Sequence, residues 1–229
     1  MPTFVNGGSA QTPAGTHAAT LAVTIPATVN HEDVVVKVLA GDDPNPVASV
    51  TTVVATGASF SKQGAVTNAS GSDSIRAESW IARNVPAGIT SVTVNWDAPT
   101  VASVHAGRYT GVQAIGAVVT ATGAAGTAAT IAITTQDANN LVVAGLGDEA
   151  TAQAQFSAAS VGTARSFGYA VGDGAPDVNG SLLDNTSATP ASVACTIGTP
   201  ATARLWAAVA VELRSVGTPI PLRRAGAYV

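Results

Sequence analysis

Charge is what this sequence has least of. Of its 229 residues only 10% are Asp, Glu, Lys or Arg, where a soluble domain ordinarily carries about 25%. Lysine is confined to Lys37 and Lys62, and the net charge is −4, so the chain has no basic field with which to hold a nucleic acid. The single cysteine, Cys195, excludes an internal disulfide and, set in "SVACTIG", reads as a small core residue rather than a nucleophile. No apolar run approaches the 18 or so residues of a membrane-spanning helix. The opening "MPTFVNGGSAQTPAG" has neither the basic start nor the apolar stretch of a secretory signal, so the expectation is synthesis in a cytoplasm with no membrane partner. Aromatics make up 4%, too few to fill a core and also furnish a sugar-stacking face. Trp80, Trp96, Trp206, Tyr109 and Tyr169 are therefore assigned to the core.

Catalytic patterns are missing as well. His17, His31 and His105 are far apart, and neither a Gly-x-Ser-x-Gly elbow nor a His-Glu-x-x-His pair occurs. The expectation is no enzyme and no cofactor. Gly145-x-Gly147-x-x-Ala150 follows an apolar run and has the outline of a dinucleotide fingerprint, but Asp148 and Glu149 stand where a pyrophosphate would have to sit. A strand-end turn is the simpler reading. "GDGAPDVNGSLLD", residues 172–184, gathers Asp173, Asp177 and Asn179, oxygen ligands of the kind calcium takes. Their spacing fits no EF-hand, and Asp, Asn and Gly are ordinary turn residues, so the segment is read as a solvated loop without a metal.

What is present is β-strand. "ATLAVTIP", "DVVVKVLA", "PVASVTTVVA", "SIRAESWIARNV", "ITSVTVNW" and "SVHAGRYTGV" fill the first half, each bounded by Gly, Pro, Asn or Asp. In "ITSVTVNW" the alternation places Val92, Val94 and Trp96 on one face. After the Gly, Ala and Thr rich "GVQAIGAVVTATGAAGTA" come "ATIAITT", "NLVVAGLG", "SFGYAVG", "ASVACTIG" and "ARLWAAVAVELRS". "DEATAQAQFSAAS" is the one helical candidate. A shift of about 107 residues lays "VVVKVLAGDD" on "LVVAGLGDEA" and brings other strands near counterparts. Two similar sets of apolar strands suit two packed antiparallel sheets. The expected fold is all-β, an antiparallel sandwich of jelly-roll type over residues 17–215, its halves interleaved; two tandem sandwiches are the alternative.

Flanking segments differ in character. Residues 1–16 are set apart as an N-terminal arm with Phe4 and Val5 as anchors. Residues 216–229, "VGTPIPLRRAGAYV", are set apart as a C-terminal arm in which Arg223, Arg224 and Tyr228 would grip a neighbour. A surface so poor in charge is weakly protected against self-association, so a homo-oligomer is expected, a trimer among the forms.

"SWIARNVPAGITSVTVNW", "GRYTGV", "NNLVVAGLGDE" and "LWAAVAVEL" together resemble jelly-roll proteins of tailed-bacteriophage virions and of some bacterial surfaces, over roughly residues 17–214. The resemblance implies a structural role, as a capsid decoration or head-fibre subunit bound to the major capsid or another shell protein of a virion. It carries over no catalytic residue. The alternative is a carbohydrate-binding or adhesin module of a tail fibre or cell surface.

Overall fold

In "ATIAIT", residues 129–134, buried and exposed positions alternate strictly, whereas "EDVVVKVLAG", residues 32–41, is buried throughout. The first pattern belongs to a strand with one wet face, the second to a strand covered on both. The computed structural model, which describes residues 1–41, 47–70, 73–124, 127–150, 156, 158–172, 177–197 and 205–215, arranges them that way. Among the described residues there are sixteen strands and no helix.

The first eight are β1 (Thr3–Gln11), β2 (Ala18–Thr24), β3 (Glu32–Gly41), β4 (Val50–Ala55), β5 (Ala58–Ser70), β6 (Asp73–Val85), β7 (Ser91–Thr100) and β8 (Ala102–Thr110). They form one antiparallel sheet in the order β1-β8-β3-β6-β5-β4-β7-β2, curled until its edges β1 and β2 meet. The remaining eight are β9 (Ala114–Gly123), β10 (Ala129–Thr134), β11 (Leu141–Ala150), β12 (Ala159–Val161), β13 (Thr163–Ala170), β14 (Asp177–Thr186), β15 (Ser192–Ile197) and β16 (Trp206–Arg214). They form a five-stranded sheet, β13-β14-β11-β16-β9, and a three-stranded one, β10-β15-β12. The expected interleaving does not occur: β1–β8 pair only among themselves, and so do β9–β16.

Three apolar cores separate four β-layers. Val34, Val36, Trp80, Val94 and Val104 fill the curl of the first sheet. Ile131, Leu146, Leu183, Cys195 and Trp206 lie between the five- and three-stranded sheets. The middle core joins the two large sheets through Val35, Leu39, Ile75, Ile81, Tyr109, Leu182 and Val209, each large side chain contributing about 1.5–3 kcal/mol by leaving water. Central strands β3, β8, β11 and β16 are thus covered on both faces, which is why their sequences run apolar without alternation. Val92, Val94 and Trp96 are buried on one face of β7, as the alternation requires.

Glycine sets the spacing of the middle core. A Cβ at Gly145 on β11 would come within 2.8 Å of the Lys37 side chain, and one at Gly180 on β14 within 2.8 Å of His105 Nε2. Gly147, Gly180 and Gly168 lie side by side in register across β11, β14 and β13. The second sheet is hollowed where the first is bulky, so two polar side chains as large as Lys37 and His105 fit between closely packed sheets.

Several expectations need correcting. Residues 3–11 are not a free arm but edge strand β1, paired along its length with β8. The solvated loop is, from residue 177 onward, central strand β14 between β13 and β11. The Gly, Ala and Thr rich stretch contains β9. In the helical candidate, Asp148 to Ala150 belong to β11 and Ala159 to β12; residues 151–155 and 157 lie outside the described residues. The shift of about 107 does not match the side-chain facing: Val34, Val36 and Val38 face the first core and Val142, Ala144 and Leu146, 108 positions on, face the second. A slip of one would turn every side chain to the opposite face.

Candidate functional site

Most ionisable side chains of the described residues work inside the fold. Glu32, 1% exposed, accepts two hydrogen bonds from Arg108, from Nε at 2.8 Å and Nη2 at 2.7 Å, and Arg108 Nη1 continues to Asn6 Oδ1 at 2.9 Å and Pro26 O at 3.1 Å. Asp33 pairs with Arg83 and accepts from the Asn84 N–H at 2.9 Å. Asp184 pairs with Arg165 at 2.8 Å, and the Arg165 guanidinium lies 4.5 Å from the centre of the Phe4 ring. Inside the first core Glu78 takes Lys62 at 2.8 Å, Arg76 at 2.6 Å, the Trp80 indole N–H at 3.1 Å and the Val50 N–H at 3.1 Å. Despite burial these donors hold its carboxyl below the usual value. Glu212 accepts from Asn140 Nδ2 at 2.6 Å and from the Ala117 and Gln136 N–H groups at 3.1 Å.

Two polar clusters stand outside this pattern. In the middle core, Ser79, Lys37 and His105 lie in register across β6, β3 and β8. Lys37 Nζ donates to Ser79 Oγ at 2.9 Å and Val209 O at 3.3 Å, with no carboxylate partner, and burial pushes its amine down to about 7. His105 hydrogen-bonds Ser103 Oγ through Nε2 at 2.9 Å and Ser166 Oγ through Nδ1 at 2.8 Å, and burial pushes it down to about 3. The imidazole is therefore neutral, flanked by hydroxyls and sealed from solvent. Among the described residues the two serine hydroxyls are its hydrogen-bond partners, and they fix the ring between the two sheets.

The second cluster lies at one end of the second core. Asp148 on β11 and Asn179 on β14 are directly opposed in register, 2% and 0% exposed. Burial pushes the Asp148 carboxyl up to about 6 while Asn179 draws it down.

The residues singled out from sequence are distributed as follows. Asn179 is buried in β14, whereas Asp173 and the side chain of Asp177 lie outside the described residues. Phe4 packs edge-on against Tyr109 with ring centres 5.5 Å apart, tying β1 into its own molecule, and Val5 is 42% exposed. Arg223, Arg224 and Tyr228 lie outside the described residues. Gly145 and Gly147 are mid-strand in β11, not in a turn, and serve close sheet packing. Cys195 is buried in the second core and its thiol is pushed up to about 12. Trp80, Trp96, Trp206 and Tyr109 are buried, with Tyr169 half-buried. Among the described residues no three His, Cys, Asp or Glu side chains converge as metal ligands. Sequence reasoning missed Lys37 as a structural oddity, although it is the only charge between Val34 and Ala40.

On the surface, a cleft of about 210 Å³ is lined by Thr56, Ala87, Gly88, Ile89, Thr90 and Ser91. The outer sheet faces carry rows of neutral residues as well. Thr20, Asn95 and Thr52 form one cross-strand row on β2, β7 and β4, with Ala22, Thr93 and Val54 beside it. On β10 and β15 the rows are Thr130 with Thr196, Ala132 with Ala194, and Thr134 with Ser192. With this geometry in hand, no family model, curated protein or solved structure matches the chain. The class is defined by fold alone: an all-β protein of stacked antiparallel sheets.

Proposed function

We propose that the protein is a non-enzymatic structural subunit of a bacteriophage virion, a capsid decoration or head-fibre protein, which associates with copies of itself and binds a protein shell. In the finer reading of its fold, it is two jelly-roll repeats in tandem. That reading is supported by strand order. Adding eight to each strand of β1-β8-β3-β6-β5-β4-β7-β2 produces β9-β16-β11-β14-β13 followed by β12-β15-β10, the order of the other two sheets. Strands 1-8-3-6 and 5-4-7-2 are the two sheets of a jelly roll.

The observation that carries the structural role is where charge goes. Arginines 76, 83, 108 and 165 are engaged with acids of the same molecule, leaving the outer rows of both repeats with hydroxyls, amides and methyl groups. Neutral rows of this kind suit contact with another protein surface, since no ionised group in them must be desolvated to cover them. Thr93→Lys and Ala194→Lys place a charge at the centre of each face without touching a core. Multi-angle light scattering is expected to find the wild type as an oligomer and the double variant at lower mass; an oligomer unchanged by both substitutions would remove the faces from the assembly.

A second reading, a carbohydrate-binding module, is favoured by the cleft whose hydroxyls come from Thr56, Thr90 and Ser91. It predicts binding on a glycan array that Ser91→Arg abolishes.

A further inference from the structure

Each of the two sandwich cores encloses an acid, Glu78 on β6 in the first and Asp148 on β11 in the second, and the two are treated differently. Glu78 in the first core has Lys62 and Arg76 on its carboxylate. Asp148 in the second has no cationic side chain against it among the described residues, and its Oδ1 has no hydrogen-bond partner. Opposite Asp148, the Asn179 amide is fully buried, and neither Oδ1 nor Nδ2 has a hydrogen bond of good geometry. Asn179 and Asp148 lie directly opposite one another across the β11–β14 ladder and both belong to the second-core face of their strands, so the two side chains are brought together while Asp148 Oδ1 and both polar atoms of Asn179 lack a partner.

A buried carboxylate and a buried amide oxygen left in this state are both short of positive charge. An isolated ionised acid in such a place is strongly disfavoured; the buried carboxylates Glu32, Asp33, Glu78 and Asp184 each have an arginine, and Glu212 has three N–H donors. We propose that Asp148 and Asn179 supply two side-chain oxygens of a site for a hard divalent cation of calcium type at the end of the second core. Carboxylate and amide oxygens are the donors calcium takes, and a single carboxylate places the affinity in the weak range, about 10⁻⁴–10⁻³ M. The cation does for Asp148 what Lys62 and Arg76 do for Glu78. The site is independent of any role in assembly.

Trp206 is the residue opposite Asp148 on the other flank, in β16, and provides the readout. Terbium, a luminescent substitute for calcium, is titrated into the full chain at pH 7.5 with excitation of tryptophan. Sensitised emission is expected to saturate at one equivalent, to be displaced by millimolar calcium, and to drop sharply in Trp206→Phe. In Asp148→Asn and in Asn179→Ala the apparent affinity is expected to fall at least tenfold. Asp148→Asn conserves shape and removes a buried charge, so it is expected to fold; a melting curve in chelator checks this. For the wild type, 10 mM calcium is expected to raise the melting temperature over that in chelator, and not to do so for Asp148→Asn. Absence of sensitised emission, or emission and calcium-dependent melting unchanged in both variants, would overturn the assignment and leave Asp148 neutralised by a proton.

Discussion

Lys37 is the residue at which burial and charge conflict most. Among the described residues its ammonium would sit between two sheets with a serine hydroxyl and a carbonyl as acceptors, and a buried charge without an ionic partner is costly to keep out of water. Lys37→Met is therefore expected to raise the melting temperature at pH 7. The pH dependence has a definite sign. Burial depresses the amine to about 7 in the folded protein from its ordinary value of 10.5, so between those values the unfolded chain binds the extra proton and stability rises with pH, by at most about 1.4 kcal/mol per unit. Urea unfolding of wild type and variant from pH 7 to 10 checks it. The difference between the two is expected to shrink toward pH 10, and a constant difference would mean Lys37 is charged in the fold. His105, next to it in register, acts at the other end of the scale: its depression to about 3 places its contribution above pH 6.5 and removes it progressively as pH falls toward 3.

Among the elements, β14 shows why part of this fold was legible in the sequence and part was not. β7 and β10 were readable because each has one wet face, so alternation survives in Val92, Val94, Trp96 and in Ile131, Ile133. The apolar runs of β3, β11 and β16 were readable as strands by composition alone. β14, "DVNGSLLDNT", has the residues of a turn, yet each is required by a neighbour. Gly180 makes room for His105 and Ser103, Asn179 faces Asp148, and Asp184 holds Arg165. Those neighbours lie far away in sequence and are fixed only by register, which local propensity cannot report. The same holds for the Asp148 and Asn179 pair: the sequence brought Asn179 forward as an oxygen ligand, but with Asp173 and Asp177 rather than with the acid across the ladder. β1 escaped notice because a Gly-Gly pair interrupts it, and a Cβ at either glycine would run into backbone oxygen of Ala106 or Thr24. Gly180→Ala tests the packing argument. A methyl there meets His105 and Ser103 within 3 Å, and such overpacking costs about 1–3 kcal/mol, read as a drop of several degrees in melting temperature. An unchanged melting temperature would show that the sheets can separate without penalty.

At the scale of the whole molecule, the described residues form four β-layers with most of their ion pairs folded inward and rows of neutral residues on the outer faces. Rigidity comes from the middle core, where glycines of one large sheet receive the bulky side chains of the other, and from ion pairs such as Glu32 with Arg108 that pin strand ends. Under the proposed structural role such a molecule would act by contact, and contact between several copies would give avidity that no single face supplies. The most direct test of that account is the mass of the protein in solution, by light scattering behind size exclusion, for the full chain and for a chain lacking residues 216–229. The account predicts a discrete multiple of the 22.5 kDa chain mass for the full protein, with loss of mass on truncation if the tail bearing Arg223, Arg224 and Tyr228 grips a neighbour. A monomer of 22.5 kDa in both forms, at concentrations up to those of an assembling virion, would contradict it.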